Sequence, residues 1–177
     1  MKICILTPRF PFPENGGDVL RINNVARYLK QQGHRLILVS FANDDSNMKQ
    51  AYHLYDKIYT VEHSKVRAMI MAALYALTGR PLQCGYYYSA CFQRTLKRVI
   101  DKEQPNLFIA HLLRMAPYLD NSNVLSRSIV EMTDALSRTY ALSTKSSRFS
   151  PMQLVYLIEN RLIKKYEDYV IRRFPKS

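Results

Sequence analysis

A chain of 177 residues, 47% of them hydrophobic, carries enough apolar material for one sizeable core, so one compact domain is expected and two would be cramped. No stretch of about 18 uncharged apolar residues occurs, which excludes an ordinary membrane-spanning helix. The formal charge of +12 favours anionic partners, but the lysines and arginines are scattered rather than gathered into a tail or low-complexity tract, and no nucleic-acid partner is expected.

The run Lys2-Ile3-Cys4-Ile5-Leu6 is too short for a signal-peptide core and is followed by Pro8 and Arg9, which points to a cytoplasmic protein. Cys4, Cys84 and Cys91 form neither a CxxC pair nor an even disulfide set; reduced thiols and no structural zinc are expected. Cys4 reads as a buried strand residue.

Taken in chain order, Lys2 to Thr7 reads as a buried parallel strand that Pro8 ends. A loop with two prolines and the pair Gly16-Gly17 follows. From Leu20 the residues Ile22, Val25, Ala26 and Leu29 keep helical spacing up to Gly33, a stop signal. Arg35 to Phe41 is the second strand and Lys57 to Val61 the third. Val66 to Thr78 reads as a helix with little polar face, and Ser89 to Lys102 as another. Leu107 to Ala110 and Ser128 to Met132 are the next strands, and Pro151 to Arg173 is a long helix with Val155, Ile158, Leu162, Tyr166 and Tyr169 on one face. Strands alternating with helices build an open, mainly parallel α/β sheet flanked by helices.

Three places attract chemical attention. Glycines at Gly16 and Gly17 let backbone N–H groups approach a phosphate at a helix N-terminus, or serve a tight turn needing positive φ; Arg9 and Arg21 flank this loop, and Asp18 is a possible helix cap. His111 follows the strand from Leu107 to Ala110, at the carboxyl end where ligands bind in open α/β sheets, and Arg114 lies a turn beyond. Asp134 stands at the equivalent end of the next strand, to orient a substrate hydroxyl or to cap the following segment. His53 and His63 lack partners at metal-ligand spacing. The apolar helix from Val66 to Thr78, with Tyr86-Tyr87-Tyr88 after it, either packs on both faces or docks on anionic lipid.

The ordered set of Lys2-Ile3-Cys4-Ile5-Leu6-Thr7-Pro8-Arg9-Phe10-Pro11, Gly16-Gly17, Gly33-His34, Gly85-Tyr86-Tyr87-Tyr88-Ser89, His111 with Arg114-Met115-Ala116-Pro117-Tyr118, and Glu131-Met132-Thr133-Asp134-Ala135-Leu136-Ser137 resembles the start of family-4-like glycosyltransferases of the GT-B fold. The resemblance extends to the helix carrying Glu159, Arg161, Lys165, Tyr166 and Glu167, covers nearly the whole chain, and is nearest to a bacterial branch associated with exopolysaccharide synthesis. It implies a Rossmann-like acceptor-side domain of a retaining, metal-independent sugar transferase that needs no cofactor beyond its nucleotide-sugar donor. In that reading Gly16, Gly17 and Arg9 approach the donor diphosphate, His111 lines the cleft near the transferred sugar, and Asp134 and Arg114 face a glycan or lipid-linked acceptor. Peripheral contact with the inner face of the plasma membrane accompanies such an acceptor. The nucleotide-sugar domain would lie outside these residues, because no strand follows the last helix, and a fragment alone would be inactive. A stand-alone anion- or nucleotide-binding module is the alternative. Glu159 and Glu167 fall at the E-x7-E spacing of the family's donor site, but they lack its strand-loop context, and solvation of a charged helix accounts for them.

Overall fold

The computed structural model describes residues 1–42, 48–120, 123–132 and 151–175. Five strands, β1 (Lys2–Thr7), β2 (Arg35–Phe41), β3 (Lys57–Val61), β4 (Leu107–His111) and β5 (Ser128–Glu131), form one all-parallel sheet in the order β3-β2-β1-β4-β5. The helices are α1 (Gly17–Gln31), α2 (Met48–Ala51), α3 (Lys65–Leu77), α4 (Leu82–Tyr86), α5 (Ala90–Glu103), α6 (Pro117–Asp120) and α7 (Pro151–Arg173). This is a Rossmann-like α/β fold.

The pleat sends alternate residues of each strand to opposite faces, and both faces are covered. Ile3, Ile5, Leu36, Leu38 and Ile109 meet Ile22 and Ala26 of α1 and the Ala51–Tyr55 segment. Cys4, Leu6, Ile37, Val39, Phe108, Ala110 and Val130 face the opposite way, onto Phe92, Leu96 and Val99 of α5 and Ile163, Tyr166 and Val170 of α7. Because both layers are apolar, β1 and β2 read as continuous hydrophobic runs, and their bounds are those expected.

Several ends differ from the sequence reading for identifiable reasons. Helix α1 begins at Gly17 rather than Leu20, since Gly16 is its N-cap and accepts the first helical bond from the Leu20 N–H at 3.0 Å. It ends in a paired motif in which Gly33 N–H donates to the Lys30 carbonyl and His34 N–H to the Leu29 carbonyl. Ser89 caps α5, its Oγ accepting from Cys91 and Phe92 N–H. In α7 the expected apolar face is displaced: Val155, Ile158 and Tyr169 are exposed, and the buried stripe is Glu159, Ile163, Tyr166 and Val170.

Glu159 is the reason, and solvation of a charged helix does not account for it. Its carboxylate is buried and accepts the backbone N–H of Leu82 at 2.8 Å and of Gln83 at 3.2 Å, capping the start of α4 from a distant helix. Its E-x7-E partner Glu167 takes no part in this cap.

Burial holds the thiols of Cys4 and Cys84 well above the usual range, so both are inert in the folded chain; Cys91 is exposed. At the amino end of the sheet, Glu103 accepts from Lys57 Nζ at 2.6 Å and from Tyr59 Oη at 2.7 Å. The Lys57 bond, then the Tyr59 bond, hold the Glu103 carboxyl below its usual pKa against the opposing effect of burial. A lowered carboxylate pKa stabilises the fold above the ordinary glutamate range, and that stabilisation is lost as pH falls through the folded-state value. Glu103→Gln is therefore expected to cost about 1–2 kcal/mol at neutral pH, kept modest by the half-exposed Lys57. The cost should shrink as pH falls below 4.5, which thermal melts of both proteins across acid pH will measure.

Candidate functional site

The sheet changes winding direction between β1 and β4, since β2 and β3 lie on one side of β1 while β4 and β5 lie on the other. The carboxyl ends of the two strands at such a switch point are where open α/β sheets commonly take ligands. The β1–α1 loop, the end of β4 and the end of β5 meet there.

His111 is the last residue of β4 and pairs in register with Glu131, the last residue of β5. Both share the parity of Ile109, so both side chains turn to the α1 side of the sheet. His111 Nδ1 lies 2.7 Å from Glu131 Oε2, and Arg21 Nε of α1 donates to Glu131 Oε1 at 2.5 Å. An ionised carboxylate only accepts, so the proton of this bond sits on Nδ1. His111 is 2% exposed, and its Nε2 has no hydrogen-bond partner among the described residues. Leu112, the next residue, is held at φ 72°, ψ 148°, a region that suits glycine alone. Strain of this kind costs about 1–3 kcal/mol and concentrates where surrounding structure fixes a site. It is fixed here by the Leu112 N–H donating to the Glu131 carbonyl at 3.0 Å.

The β1–α1 loop is anchored from below. Asn23 of α1 is fully buried; its amide donates to the Pro11 carbonyl at 2.7 Å and to Glu14 Oε1 at 2.8 Å, while its own oxygen accepts from Tyr55 Oη at 3.0 Å. Gly16 sits at φ 126°, and a Cβ there would lie 2.7 Å from the Arg9 guanidinium. The positive φ makes glycine the fitting residue.

Arg9 holds the Asp18 carboxylate with two hydrogen bonds. Burial alone would raise the Asp18 pKa, but the Arg9 bond and charge, with the backbone N–H groups of Val19 and Asp18, outweigh it and hold the carboxyl low. The first-turn donors of α1 thus already face an anion belonging to the chain itself. Arg9 reaches the loop as the sequence reading expected, yet it is paired, and Asp18 takes the place next to the helix start.

Arg114 lies elsewhere. It follows the strained Leu112 onto the α4 side of the sheet, where its guanidinium stacks 5.0 Å from the centre of the Tyr87 ring and its Nε is buried without a partner among the described residues. His63 accompanies it there, packed between Phe41 and Tyr86. The structure therefore brings His111, Gly16, Gly17 and Arg9 around α1, and sets Arg114 apart from them. Asp134 lies outside the described residues. Sequence reasoning passed over the role of Glu131, because its pairing with His111 arises from the register of β4 and β5.

Among the described residues no group of three or more His, Cys, Asp or Glu side chains is arranged to hold a metal ion, and no helix is long and apolar enough to cross a membrane. No family model matches the chain, and no curated protein is significantly similar to it in sequence.

Proposed function

We propose that this chain is the acceptor-side domain of a retaining glycosyltransferase that moves a sugar from a nucleotide-sugar to a glycan or lipid-linked acceptor during cell-surface polysaccharide synthesis. The observation that carries this reading is the buried His111 at the carboxyl end of β4, oriented by Glu131 and Arg21, with Nε2 unpartnered among the described residues. An imidazole whose Nδ1 is held by Glu131 is suited to meet a sugar hydroxyl through Nε2 and to fix its position. In this reading Arg9 and the α1 start meet the diphosphate leaving group once they give up Asp18, whose carboxylate offsets their charge in the structure. Arg9 is half exposed and meets such a group by exchanging its partner Asp18. The reaction class rests on the resemblance of the ordered motifs and on fold-level analogy.

The test is label transfer by the full product of the gene from a panel of radiolabelled nucleotide-sugars to bacterial lipid and glycan extracts, with and without EDTA. Transfer from at least one donor, unaffected by the chelator, is expected. A folded protein that transfers none of them overturns the reading, and nucleotide binding without transfer would favour a stand-alone binding module.

A further inference from the structure

Helix α3 lies at the margin of the layer on the α5 side of the sheet, which its Tyr75 reaches. It packs on α4, burying only Ala68 and Ala72 fully, with Ala72 against Gly85. Its outer face carries Val66, Met69, Ile70, Leu74 and Leu77, each 49–84% exposed and spaced three or four apart along one stripe. The choice between a helix packed on both faces and one with a free apolar face is thus resolved toward the free face. Five large aliphatic side chains in one exposed row exceed the scattered apolar residues of an ordinary surface.

Charge identifies what covers the row. Lys65, Arg67 and Arg80 are exposed at its two ends, and α3 contains no acidic residue. No Asp or Glu occurs anywhere between Glu62 and Asp101, a segment that holds Lys65, Arg67, Arg80, Arg94, Lys97 and Arg98. Two copies of this chain meeting through the stripe would set Lys65, Arg67 and Arg80 of one against those of the other. An anionic lipid surface answers both features together, with headgroups meeting the cations and the acyl boundary receiving the aliphatic row. The convex outer side of a lone helix also suits a planar surface better than a groove would.

We infer that the outer face of α3 is a docking surface for anionic phospholipid, with the helix lying parallel to the bilayer. The inference stands apart from the transferase reading, because it rests on this face alone and its readout is binding.

Flotation of the purified protein with phosphatidylcholine vesicles, with and without phosphatidylglycerol, tests it. Binding to the anionic vesicles at low salt is expected to exceed binding to neutral ones by about tenfold, and to weaken at high salt. Ile70→Glu with Leu74→Glu should abolish it while leaving the circular dichroism spectrum unchanged, since both side chains are half exposed on the outer face of the helix. Lys65→Glu with Arg67→Glu should reduce it without touching the apolar row. Absence of flotation with anionic vesicles overturns the inference, as does flotation that survives Ile70→Glu with Leu74→Glu. A wild-type dimer that the same pair of substitutions dissolves, without flotation, would assign the face to self-association and overturn it equally.

Discussion

Replacing His111 by alanine is expected to lower the rate of sugar transfer by about 100-fold or more, the scale on which enzymes lose a positioned acid–base or hydrogen-bonding group. The loss should fall mainly on kcat, because the proposed role of the side chain is to act on the reacting sugar and not on the nucleotide. Glu131→Gln keeps the shape of the carboxylate but removes its charge and offers an amide N–H in place of one acceptor oxygen. The Nδ1 proton then loses its ionic partner, and the ring is no longer held by a carboxylate. A fall of about 10–100-fold is expected, the usual range for a group that acts by orienting another. Its signature is a shifted pH profile of kcat, which a purely structural loss would not produce.

The double variant His111→Ala with Glu131→Gln separates these roles. If Glu131 acts only through His111, the pair should be no slower than His111→Ala alone, because the orienting group has nothing left to orient. Additive losses would mean that Glu131 touches substrate itself. A folded His111→Ala protein with undiminished transfer would remove His111 from the site. Thermal melts guard the comparison, since Arg21 still neutralises Glu131 after His111 is truncated and the fold should persist.

The fold was more legible in the sequence than the site, for reasons that individual residues make plain. Strands β1 and β2 are bounded where the apolar runs are bounded, because a sheet covered on both faces leaves no other pattern available to them. His111 was visible as a strand-end residue for the same reason. Its partner Glu131 was hidden because the relation is one of register, created when β4 and β5 align side by side, and nothing local to Glu131 announces it. Glu159 misled more actively. A buried carboxylate on a helix surrounded by Arg161, Lys164 and Lys165 has the local pattern of a solvated face, and only the distant Leu82 and Gln83 N–H groups explain why it turns inward. Helix α3 showed its composition but not its exposure, which depends on how near α4 allows it to come.

That approach is set by Gly85, and Gly85→Ala is expected to be among the most damaging small substitutions in the chain. A Cβ at this position would stand 2.5 Å from the Met71 carbonyl oxygen, 2.7 Å from Tyr75 Cβ and 2.8 Å from Ala72 Cα. Two of these atoms are helix backbone and the third is a Cβ fixed to it, so no rotamer change relieves the contact; α3 or α4 must move as a body. Overpacking of this kind costs about 1–3 kcal/mol and sometimes more. For a domain of this size that lowers Tm by roughly 2–12 °C. Displacing α4 also disturbs the Glu159 cap at its start and the Tyr87 ring beneath Arg114, so the cost extends beyond the contact itself. Gly17→Ala is the matched control. It sits at the first position of α1 without positive φ, and its added methyl meets nothing within 4 Å, so it should leave Tm unchanged or slightly raised. If differential scanning calorimetry gave the two variants equal Tm values, the close packing of α3 on α4 would be wrong, and with it the reason that the apolar row of α3 faces outward.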